Sequence, residues 1–188
     1  MLDSVARLRV IVSTAMLAAV LLSGCGSGEE VNSLDAYVRS ECEITMRTQT
    51  RLHDLSRRMM EVGGPTIQTD LATIIAEMAR AYEDLLADVE KLGAPPNGES
   101  SGTDEQAVAA TRLSARELAD SANRIRSATS QEALDSAFED FQQVLAAIAT
   151  RGLELQQQQK QPTPELDKAR AAVPGCAAAM NPTAPGGG

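Results

Sequence analysis

The sequence predicts an all-α protein, an up-down-up-down four-helix bundle with a short fifth helix tied back by a disulfide. Three observations carry this. Apolar residues recur at steps of three and four through four stretches of roughly 25 to 30 residues, the period of one helix face. Short breakers rich in glycine and proline separate those stretches, and short connections favour antiparallel neighbours. The chain has no tryptophan and only four aromatics, Tyr37, Tyr82, Phe138 and Phe141, where a β-sandwich needs more aromatic and β-branched residues.

The N-terminal stretch reads as an export signal. Arg7 and Arg9 precede an apolar run from Val10 to Leu22, broken only by Ser13 and Thr14, and the small residues Ser23 and Gly24 follow. The run is too short for a bilayer, which takes about 20 apolar residues. Leu22-Ser23-Gly24-Cys25 resembles the lipobox of bacterial lipoproteins at all four positions. The resemblance covers residues 1–25 alone. It implies removal of residues 1–24 and lipidation of Cys25. The mature chain is then a lipid-anchored protein on the extracytoplasmic face of a cell membrane. Each buried CH₂ of such an anchor contributes about 0.8 kcal/mol, so two or three chains hold firmly.

Residues 25–32 form the anchor and tether, and residues 33–176 the helical domain. Helix 1 starts near Ser33, with Asp35 in its acid-favouring first turn. Its seam reads Leu34, Val38, Thr45, Leu52, Leu55, Met59 and Val62, and Gly63-Gly64-Pro65 ends it. Helix 2 has the cleanest period, from Ile67 through Leu71, Ile75, Tyr82 and Val89 to Leu92, before Gly93, Pro95 and Pro96. Helix 3 begins at Thr103 and helix 4 at Thr129. Each has a capping-box partner three residues on, Gln106 and Glu132. Val108, Thr111, Ala115, Leu118, Ala122 and Ile125 give helix 3 a poorer face than the Leu134, Phe138, Phe141, Leu145, Ile148 and Leu155 of helix 4. Helix 5 has Thr163 as cap and Pro164 at its first position, where proline is tolerated. The alanine, proline and glycine tail, 177–188, is expected to be disordered.

With Cys25 lipidated, Cys42 and Cys176 remain, and an even pair in an exported chain predicts a disulfide. Cys42 lies about 13 Å along helix 1, a depth a folded-back fifth helix reaches. The bond, the anchor and the 2–3 loop then share the membrane-proximal end.

Chemistry is sparse. His53 is the only histidine, so histidine metal clusters are excluded. No nucleophile elbow or phosphate-cradling glycine loop occurs. The expectation is no catalytic residue, no metal and no cofactor. Asp84 with Asp88, and Glu139 with Asp140, are carboxylate pairs on polar faces, read as solvated. The whole chain carries a net −9, and losing Arg7, Arg9 and Asp3 makes the mature chain one charge more acidic. That argues against nucleic acid. The less bland feature is Glu41, Thr45 and Thr48, on or beside the core stripe of helix 1, with Gln49 flanking. This polar layer either fixes register, satisfied by groups such as Thr111 or Arg116, or lines a small pocket. The first reading is favoured because ligand pockets usually carry aromatic walls. Ile44 and Met46 fall off the seam and either mark a partner-binding strip or are isolated exposed apolar residues of the kind that usually mean nothing. The functional expectation is a non-enzymatic bundle binding another envelope protein; the alternative is a small-ligand or metal-binding lipoprotein using the polar layer.

Overall fold

The computed structural model describes residues 33–96, 102–158 and 163–176. The signal segment, Cys25, the tether, the 2–3 loop and the tail lie outside the described residues. Five helices follow in order: α1 (Leu34–Glu61), α2 (Ile67–Leu92), α3 (Gly102–Ser127), α4 (Gln131–Gln158) and α5 (Pro164–Ala172). There is no strand among the described residues.

Local chemistry sets the helix ends. The Ala36 N–H donates to Ser33 Oγ at 3.2 Å, satisfying one of the first-turn amides that have no intrahelical partner. Thr163 Oγ1 does the same for Leu166 N at 3.4 Å, and Pro164 occupies the first turn. Helix α4 starts later than its capping box suggests. Ser130 accepts from Ala133 N at 3.2 Å, and this hydroxyl, not that of Thr129, caps the helix. Thr66 precedes α2 without capping it, because its hydroxyl donates to Asp70 Oδ2 instead.

Helices α2, α3 and α4 each run antiparallel to the helix before. Along α1 and α2, Arg47 pairs with Asp88, Arg51 with Asp84 and Arg58 with Glu77, one number rising as the other falls. Glu117–Arg151 and Arg124–Asp140 show the same for α3 and α4. At the start of α2, Gln68 donates to the carbonyls of Ile125 and Ala128 at the far end of α3, each at 2.8 Å. Helices α2 and α3 approach most closely. Alanines make that possible: Ala72 and Ala79 on α2, Ala115 and Ala122 on α3, are all buried. Helices α1 and α4 contribute to the same apolar cluster without a comparable backbone approach.

The core is divided. The main cluster runs from Leu52, Leu55 and Met59 of α1 across Ile75, Leu118 and Phe141 to Ile148. A thin second layer holds Leu85, Val89 and Ala107, with Ile44, Val108 and Leu155 packed on it. The third lies between α1 and α5: Tyr37, Val38, Cys42, Ala169 and Cys176, with Leu92. The expected disulfide is present, Cys42 to Cys176, with Cα atoms 5.3 Å apart. Ile44 and Met46 are half-buried and pack on these smaller clusters, so they do not form the exposed strip expected of them. A position off the seam of a four-helix packing becomes an inside position once α5 lies on it.

Candidate functional site

Two polar arrangements interrupt the apolar interior. The first is the beginning of the expected polar layer. Glu41 is 3 % exposed, far too buried for an unpaired carboxylate. It is met by Arg170 of α5, whose Nη2 donates to both carboxylate oxygens, at 2.9 and 3.1 Å, and whose Nε donates at 3.3 Å. The fork geometry suits arginine specifically. The partner is therefore neither Arg116, which is exposed on α3, nor Thr111, whose hydroxyl donates to the Ala107 carbonyl at 2.8 Å. Thr45 is buried and donates back to the Glu41 carbonyl at 2.9 Å, so it needs no partner across the core. Thr48 and Gln49 are half-buried one turn further on. The four residues are thus not one site: Glu41 belongs to the α1–α5 contact, while Thr48 and Gln49 face a different level.

The second arrangement lies between α2, α3 and α4, where Tyr82, Thr111 and Arg151 come together one turn from Leu85, Ala107 and Leu155. Tyr82, Thr111, Ser114 and Arg151, with Gly152 and Ile148, border a cleft of about 10 Å³, close to the volume one water needs. Neither Thr48 nor Gln49 lines it. Arg151 crosses from α4 to α3, donating to Glu117 and, at 3.3 Å, to Ser114 Oγ. Its buried Nε has no hydrogen-bond partner. Burial pushes the Tyr82 phenol up to about 12, and the nearby Arg151 charge opposes that shift. An arginine beside a buried phenol can position a small polar molecule, and the carboxylate that meets Arg151, Glu117, is engaged in their ion pair.

Tyr82 and Arg151 did not stand out in the sequence. Tyr82 falls on the apolar stripe of α2 and reads as core. Arg151 sits on a helix flank, where arginine is ordinarily solvated. The available signal was Gly152, a glycine in a helix interior, where it costs about 1 kcal/mol relative to alanine.

Three of the four paired carboxylates are ion-pair partners near the surface, and Glu139 is exposed. Asp84 and Asp88 are held by Arg51 and Arg47, and Asp140 lies 3.9 Å from Arg124. His53 is exposed. Among the described residues, no group of three or more histidine, cysteine, aspartate or glutamate side chains is arranged to hold a metal. No described helix is long and apolar enough to cross a membrane. Comparison of the chain with protein-family models, curated proteins and solved structures finds no match.

Proposed function

We propose that this chain is a bacterial envelope lipoprotein, anchored through Cys25, whose helical domain docks another envelope protein and performs no chemistry of its own. The observation that carries the reading is the pairing of two features. Leu22-Ser23-Gly24-Cys25 follows an apolar run, and the domain behind it is closed by a Cys42–Cys176 disulfide. A structural disulfide belongs in an oxidising compartment, the one the lipobox resemblance implies. The eight residues between Cys25 and Leu34 span at most about 29 Å, which keeps the start of α1 near the anchor. From there α1, 28 residues long, projects the Gly63–Gly64 turn about 42 Å outward.

Docking is preferred over small-ligand binding because Glu41 and Thr45 of the polar layer are already satisfied within the protein, and the cleft beside Tyr82 and Arg151 has room for about one water. The test is cross-linking in living cells followed by purification, natural chain against Cys25→Ala. A single abundant partner recovered with the natural chain and lost with the variant is the expected result. Equal recovery from both, or none from either, overturns anchored docking. The mass of the purified chain checks the anchor separately: it must begin at a Cys25 carrying acyl groups.

A further inference from the structure

Helix α5 has nine residues, fewer than an isolated helix needs to persist in water. Its main neighbour among the described residues is α1, with Leu92 of α2 at the edge of the same cluster. Ala169 is its one fully buried residue, with Leu166 and Val173 half-buried. Two attachments do the rest: the Arg170–Glu41 fork, and the cystine one turn beyond the helix. What α5 covers is a cluster of its own, Tyr37, Val38 and Cys42, separate from the main core.

We propose that α5 is a redox-releasable strap. The Cys42–Cys176 bond holds it over the first third of α1, and reduction frees it and bares the Tyr37–Val38 face while α2, α3 and α4 stay folded. The reductant is a dithiol. One of its thiolates attacks a cystine sulfur and forms a mixed disulfide. Its second thiol displaces the remaining cysteine. The dithiol leaves as a disulfide, and Cys42 and Cys176 each end with a proton. Both cysteines are fully buried, so attack requires the end of α5 to lift. The place to lift is built in. Gly175, at φ +78°, turns the chain so that Cys176 meets Cys42, and this turn follows the last residue of α5. Local opening of weakly packed segments is how native proteins expose such bonds. The inference does not depend on the docking reading.

The experiment is hydrogen–deuterium exchange on the full chain, oxidised and after dithiothreitol. The expected result is exchange faster by about tenfold or more in peptides from 34–46 and 164–176, with α2, α3 and α4 changed by less than about twofold. No change anywhere overturns the strap, because α5 then stays docked without its bond. Acceleration in all helices overturns it too, because the bond then braces the whole domain. The double variant Glu41→Leu with Arg170→Met, kept oxidised, removes the fork without stranding a buried charge and so separates the two attachments. It should exchange nearly as the natural chain does. If it matches the reduced protein, the ion pair and not the cystine is the hold, and the proposal fails.

Discussion

At Tyr82 a single hydroxyl links burial to pH. The phenol titrates near 12 because the folded chain surrounds it with apolar atoms; in the unfolded chain it titrates near 10. A raised folded pKa means that the unfolded state loses its proton first. The contribution is therefore intact below about pH 10 and is lost as pH climbs toward 12. Tyr82→Phe removes the titration and keeps the ring. Its stability at neutral pH should match the natural chain within about 1 kcal/mol, and its urea midpoint should fall less between pH 10 and 12. An identical alkaline fall in both chains would show that the phenol is not the group responsible. The same residue shows where sequence reading stops. Period alone places Tyr82 inside, and it is inside; period carries no information on which polar group from another helix arrives beside it. Arg151 reaches Tyr82 through a register that only packing determines. The same holds for Glu41, whose burial was legible in its place on the seam and whose partner, 129 residues away, was not.

Between helices, two kinds of ion pair do different work. The α1–α2 seam carries exposed pairs, such as Arg51–Asp84 at 2.5 Å with both side chains largely in solvent. Such pairs contribute about 0.2–1 kcal/mol and are screened by salt. Asp84→Asn should therefore shift the denaturation midpoint only slightly, and less at high salt. Arg170→Met is the contrast, because it strands Glu41 in an apolar cluster. Removing one partner of a buried pair costs about 3 kcal/mol or more, capped here by the freedom of α5 to undock. The double variant Glu41→Leu with Arg170→Met should recover much of the loss in chemical denaturation. If the single and double variants lose stability equally, the fork is not what matters at that contact. At this scale the sequence was a good guide. Breakers located all five helices, but two starts differ: α3 begins at Gly102, one residue before the expected Thr103, and the cap of α4 is Ser130, one residue beyond the expected Thr129. The off-seam Ile44 and Met46 misled, since a seam drawn for four helices takes no account of a fifth lying across it.

For the whole chain, the all-helical class followed from the apolar period and the scarcity of aromatics. The disulfide followed from an even pair of cysteines in a chain expected to be exported. The separation of the interior into three clusters did not, because it depends on which helices approach through alanine and which do not. The disulfide has a mechanical meaning as well. Cys42 lies early in α1 and Cys176 beyond α5, 134 positions apart. Tension applied between the two ends of the chain enters along the first turns of α1, crosses from sulfur to sulfur, and leaves through the tail. The helices between never bear the load. In a single-molecule pulling experiment the oxidised chain should therefore give up only its flanks. The reduced chain should lengthen by roughly 45 nm more when fully stretched, at about 3.3–3.6 Å per residue over the span the bond protects. A domain tugged by one end from a membrane and by the other from elsewhere would hold its shape for as long as that one covalent bond lasts.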